Sequence, residues 1–183
     1  MAEMIKTRAT FADYQALPET NQIVELIDGE IVMNPSLDLH QELLGVIYLF
    51  LSSIVQKKGK LRLAPTGIYF DDDNSFDPDI FWVSPENDHC FLRTDTRYWQ
   101  GAPDLIVEIL SPSTESRDRG VKFDIYEKHG VREYWMVNVE ARYVELYQHK
   151  NGSFDRVGVF ETGKSFVSDV LDGISVEVSA LFP

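Results

Sequence analysis

Apolar residues recur along the chain with two periods, and the changes between them set out its elements. TFADYQAL at 10–17 predicts a short helix, with Thr10 as N-cap and Pro18 opposing continuation. QIVELIDGEIVMNPS carries two apolar runs around Asp28-Gly29, a dipeptide that favours a tight hairpin turn. From Leu39 to about Gln56 apolar residues fall at 39, 43, 46, 47, 50 and 54, a helical spacing, and Leu44, Tyr48 and Leu51 predict burial over much of the circumference. KLRLAPTGIYF then predicts a strand kinked at Pro65, followed by the acidic turn DDDNSFD and the strand DIFWVS. Residues 84–102 read as a surface connection, followed by the strand DLIVEIL. A helix is expected from SPSTES to about His129, where Gly130 is a natural stop. REYWMVNV, YVELYQH, a turn at Asn151-Gly152, FDRVGVF and ISVEV supply further strands. The order is helix, three strands, helix, strand, with a hairpin before and strands after, which predicts an α/β (α+β) fold with a mixed sheet.

One strand contains a residue that this pattern does not explain. In PDLIVEILSPST, alternation puts Asp104, Ile106, Glu108 and Leu110 on one face, and both faces are otherwise apolar. A carboxylate at Glu108 then needs a salt bridge, a proton or a metal ion. Asp79 opens another apolar strand, and if the two strands are neighbours the acids converge. Two such carboxylates with a backbone carbonyl form a hard oxygen site suited to magnesium. On the following helix Asp118, Lys122, Tyr126 and His129 share a face, so Lys122 either points at these acids or forms a surface pair with Asp118.

Composition narrows the function classes. A chain of 183 residues, rich in aromatics along its length, supports one folded domain over residues 1–183 with its core at about 39–139. The longest apolar run, LLGVIYLFL at 43–51, is about half of a bilayer span and reads as a core helix, so no membrane partner is expected. No secretory signal is evident and Cys90 is the single cysteine, so a cytoplasmic location is the default expectation. A net charge of −13 argues against non-specific gripping of phosphates, unless a divalent metal inverts the local charge.

Taken together, YQALPE, ELIDGEIVMNPS, PDIFWV, PDLIVEILSPST and DRGVKFDIYEKHGVREYWMVN resemble the Uma-type family of putative restriction endonucleases, within the PD-(D/E)XK nuclease superfamily. The resemblance runs from about residue 10 to 150 and implies a restriction-endonuclease-like core of helix, three strands, helix and strand. It implies a metal-dependent endonuclease acting on DNA, with magnesium as cofactor and manganese able to substitute. Asp79 and Glu108 would be metal ligands, with the Ile109 carbonyl as a further one. The superfamily lysine falls at Leu110 here, and Lys122 is the candidate in its place, to orient water or stabilise the transition state. A homodimer also fits such small nucleases. The alternatives are a catalytically silent binding or assembly module and a phosphodiesterase of small nucleotides.

His40 and Glu42, early in the first long helix, are accessory candidates. So is Glu25, flanked by Val24 and Leu26, which either lines the same cleft or pairs with Arg62. DDDN at 71–74 lacks calcium-loop spacing and reads as a solvated turn.

Overall fold

In a computed structural model of the protein, residues 8–18, 23–34, 38–56, 58–96 and 98–183 are described. The first helix, α1 (Phe11–Gln15), is one turn long and closed by a capping box between Thr10 and Asp13. The hairpin follows as β1 (Ile23–Ile27) and β2 (Glu30–Asn34), and Asp28 and Gly29 both take positive φ, 48° and 72°. That is the turn geometry whose twist matches two antiparallel strands. Then come α2 (Asp38–Val55), β3 (Lys60–Leu63), β4 (Ile68–Asp71), β5 (Asn74–Phe76) and β6 (Ile80–Val83). The short pair β7 (Phe91–Leu92) and β8 (Trp99–Gln100) precedes β9 (Leu105–Leu110). Beyond it lie α3 (Glu115–Asp118), α4 (Val121–His129), β10 (Glu133–Asn138), β11 (Tyr143–Lys150), β12 (Ser153–Glu161), β13 (Ser165–Ser168) and β14 (Ile174–Glu177).

The predicted core order is present as α2, β3, β6, β9, α3–α4, β10. Its strands lie in a six-stranded sheet of order β12-β11-β10-β9-β6-β3, in which β9 and β10 run parallel and the other neighbours antiparallel. A parallel pair needs a crossover, and α3–α4 supplies it. One face of this sheet, with Ile80, Trp82, Val107 and Trp135, packs against α2 and the C-terminal segment. The opposite face, with Phe81, Ile106, Leu110 and Tyr134, packs against α4 and a second six-stranded sheet of order β2-β1-β5-β4-β8-β7.

Several sequence expectations need correction. KLRLAPTGIYF is two strands: Pro65 has no N–H to continue a ladder, so β3 stays in the core sheet and β4 joins the second one. Residues 84–102 are more than a connection, because β7 and β8 extend the second sheet and Trp99 and Cys90 are buried. The helix expected to His129 breaks into α3 and α4 at Gly120, where a Cβ would lie 2.8 Å from the Ser116 carbonyl oxygen. In α2 the buried residues are Leu43, Leu44, Ile47, Leu51 and Val55, whereas Leu39 and Leu49 are exposed. This helix is apolar and long enough to cross a membrane by composition, but one face packs on the core sheet.

The C-terminal segment is fastened through Glu133, which is fully buried at the start of β10. Its Oε1 accepts from Trp135 Nε1 at 2.7 Å and Ser168 Oγ at 2.6 Å, and its Oε2 from Asp169 N at 3.0 Å. Glu133→Ala is expected to cost about 3 kcal/mol or more, because these donors and Gln148 Nε2, at 3.4 Å from Oε2, lose their acceptor inside the core. Urea unfolding monitored by tryptophan fluorescence checks this, and a loss below about 1 kcal/mol would mean that water replaces the carboxylate.

Candidate functional site

The strand pair β6–β9 and the inner face of the second sheet enclose a group of ionisable side chains. Asp79, directly before β6, shares a face with Phe81 and Val83, while Glu108 in β9 shares a face with Ile106 and Leu110. Both acids are buried. Asp79 Oδ2 accepts from the Ile109 backbone N–H at 2.7 Å, and the Asp79 N–H approaches Glu108 Oε2 at 3.4 Å. Each carboxylate thus meets the backbone of the other strand, which brings Asp79 and Glu108 together.

Lys122 reaches them from α4. Its Nζ lies 2.9 Å from Glu25 Oε1, 3.1 Å from Glu108 Oε1 and 3.4 Å from Asp118 Oδ1. An ammonium has three protons to donate, and here three carboxylates surround it in a buried pocket. Tyr126, one turn further along α4, donates its hydroxyl to Glu108 Oε1 at 2.7 Å. Burial raises the Tyr126 phenol well above its ordinary range, so it stays a neutral donor. Burial pushes the Glu108 carboxyl well up, and the neighbouring acids Asp118, Asp79 and Glu25 add to this against the pull of Lys122. Asp118 is raised for the same first reason. Burial alone would lower Lys122, but the carboxylates around it outweigh burial and hold it well above its usual range. One cation facing several acids remains charged while the acids share the excess.

Of the accessory candidates, two join the site and one does not. His40, near the start of α2, places Nε2 3.1 Å from Asp79 Oδ2. Burial works to lower the imidazole, yet Asp79 and the nearby backbone of Ile109 bring its net position up. Glu25 sits on β1, where alternation sends Val24 and Leu26 under α1 and Glu25 inward. It does not pair with Arg62, whose guanidinium bonds the Leu61 carbonyl and lies over Trp99. Glu42 is exposed on α2 and is not brought in. His129, on the same helical face as Lys122, pairs instead with Asp71 at 3.3 Å.

The sequence leaves Asp118–Lys122 as a surface pair or an inward pointer; the pair is buried. Nothing in the sequence assigns a role to Tyr126 or Asp77. The four-residue spacing 118, 122, 126 was the available signal, but a charged helical stripe reads as solvated until something covers it, and the second sheet does. Asp77 is buried with its carboxyl raised to about 7, by burial first and then by Glu25. A folded value above the unfolded 3.8 means that the folded state binds the extra proton, so this group favours folding less as pH rises from about 4 to 7. Asp77→Asn is therefore expected to raise the melting temperature at pH 7.5 and to flatten its decline between pH 5 and 7. An unchanged pH profile would show that Asp77 is ionised throughout.

For a divalent cation, each principal acid keeps an oxygen that His40, the Ile109 N–H, Lys122 and Tyr126 do not engage. Among the described residues Asp79 Oδ1 takes no hydrogen bond, and Glu108 Oε2 takes only the long contact from the Asp79 amide. Among the described residues no three His, Cys, Asp or Glu side chains form a ready cage. Magnesium does not require one, since it is commonly held by one or two carboxylates and completed by water and substrate phosphate. The donor set fits such an ion.

The sequence pattern of the Uma2 family, described as "Putative restriction endonuclease", matches residues 11–179. The chain belongs to the Uma2 family. An uncharacterized protein of Synechocystis sp. is 38% identical over 80 residues, which span 38% of this Uma2 chain and 42% of that protein. The match thus covers less than half of the relative's own length. The crystal structure of a putative nuclease belonging to DUF820 from Anabaena variabilis has a TM-score of 0.78 at 23% identity, covering 94% of this chain and 97% of that one. The Uma2 chain therefore has a nuclease-like α/β fold, in agreement with the family's description.

Proposed function

We propose that this Uma2 chain is a metal-dependent endonuclease that hydrolyses phosphodiester bonds of DNA. The observation that carries this reading is the convergence of Asp79 and Glu108 from neighbouring strands, linked through Asp79 and Ile109 backbone amides, with Lys122 3.1 Å from Glu108. Asp79, Glu108 and the Ile109 carbonyl would hold the ion. A magnesium or manganese ion there supplies Lewis-acid polarisation of a phosphodiester oxygen and an acidified water. The protein's own part is orientation: Ile109 N–H and His40 fix Asp79, while Lys122 and Tyr126 fix Glu108. With its three carboxylate neighbours, Lys122 serves here to set the charge and position of Glu108 rather than to meet the phosphate. A net charge of −13 makes the ion the principal attraction for a polyanion at this site.

The test is cleavage of plasmid DNA, structured RNA and dinucleotides with magnesium, with manganese and with chelator, beside an Asp79→Ala control. Metal-dependent cleavage of plasmid that the control lacks supports the proposal. Cleavage of dinucleotides alone favours a small-nucleotide phosphodiesterase, and cleavage of no substrate by the metal-loaded chain favours a silent module.

A further inference from the structure

Resting on the proposed metal site, the geometry points to Glu25 as the positioning residue that joins the two halves of that site. A single atom does this: Glu25 Oε1 lies 2.9 Å from Lys122 Nζ and accepts the Asp77 backbone N–H at 3.0 Å. Asp77 begins the segment Asp77-Pro78-Asp79 that carries the first acid, and Lys122 holds the second, Glu108, at 3.1 Å. Pro78 has no N–H of its own to tether this segment. Ahead of Asp79 the segment is therefore anchored to the second sheet through Asp77, and Glu25 is the acceptor.

The carboxylate is placed for this by three independent features. Period-two alternation in β1 turns it towards the core sheet, away from the cluster of Phe11, Tyr14, Val24 and Leu26. Leu26, its neighbour in β1, pairs in register with Ser75 of β5, which fixes the strand that leads into Asp77. Burial, with Glu25 2% exposed, keeps water from taking either partner. This carboxylate spans two chain segments, each of which carries or holds a proposed ligand. Glu25 touches neither substrate nor ion in this reading; it acts through Lys122 and Asp77.

Two variants separate its two contacts. Glu25→Gln keeps a side-chain oxygen for the Asp77 N–H and removes the charge that holds Lys122, whereas Glu25→Ala removes both. In the absence of metal, NMR-detected hydrogen exchange at the Asp77 and Asp79 amides is expected to accelerate about tenfold or more in Glu25→Ala and to stay close to native in Glu25→Gln, with β10 amides unchanged in both. Manganese affinity, followed by electron paramagnetic resonance without nucleic acid, is expected to fall about ten- to a hundredfold in both variants.

A purely structural Glu25 would lower the melting temperature and leave folded molecules with native manganese affinity, and that result overturns the inference. Native exchange at Asp77 and Asp79 in Glu25→Ala overturns it as well. If Glu25→Ala does not fold, Glu25→Gln decides through manganese affinity. If the unaltered chain binds no more manganese than Asp79→Ala does, the metal reading fails, and the exchange measurement alone decides whether Glu25 positions the Asp77–Asp79 segment.

Discussion

Lys122→Met is expected to destabilise the protein by about 3–5 kcal/mol at pH 7.5, the usual consequence of removing one partner from a buried ionic cluster. Methionine fills similar space, so the loss reports charge more than volume. Glu25, Glu108 and Asp118 all lie within 3.4 Å of the ammonium nitrogen, and each would be left facing like charges in a buried space. The variant should regain stability on acidification. Glu108 and Asp118 already sit above their ordinary values, and without the ammonium they rise further, so the folded state binds protons that the unfolded state releases. Stability of the variant therefore climbs as pH falls from 8 towards 5. In the unaltered protein the Lys122 contribution has the same sign in a higher window: it is full below the unfolded value of 10.5 and is lost as pH rises through its higher folded value. Urea unfolding across pH measures both. A Lys122→Met loss that is small and independent of pH would mean the acids are already protonated and have no need of the cation.

Asp79→Asn should reduce metal-dependent hydrolysis by about a thousandfold or more while leaving the fold intact. Asparagine keeps an oxygen to accept the Ile109 N–H that Asp79 Oδ2 accepts at 2.7 Å, so the β6–β9 junction retains its link. It loses the charge that pairs with His40 and the anionic oxygen offered to an ion. The melting temperature is expected to change by only a few degrees, since the substitution trades one partly buried ion pair for a neutral hydrogen bond. Manganese binding and plasmid cleavage should disappear together. Retained cleavage with unchanged metal dependence would move the chemistry elsewhere.

Much of this site was legible in the sequence because strands alternate. An acid between two aliphatic residues in a strand covered on both faces must point into something, and that argument placed Glu108 and raised Glu25 as an accessory candidate. The proline before Asp79 and the apolar run after it marked the partner strand. Other parts needed the tertiary fold. Period alone does not say which face of a helix another layer will cover, so Asp118, Tyr126 and Lys122 read equally well as solvated. The second sheet escaped because its pieces are short: β5 has three residues, and β7 and β8 two each. Runs of that length carry no periodicity. The break between α3 and α4 falls at Gly120, whose backbone at φ −112° and ψ −109° leaves the helical region, and periodicity alone does not show that.

The bridge made by Glu25 also bears on when the site comes into being. Its carboxylate and the ammonium it holds belong to the first strand and to the crossover after β9, far apart in the chain, and contacts of such separation form late because a long loop must close before they are rewarded. A chain still emerging from the ribosome can form the Asp28-Gly29 hairpin but has no Lys122 to meet it. Glu25, Asp79 and Glu108 are translated before the lysine that balances them, so the centre has its charge set only once the second sheet has docked. A partly synthesised chain would then lack the assembled cluster, which would form as an all-or-none property of the folded domain.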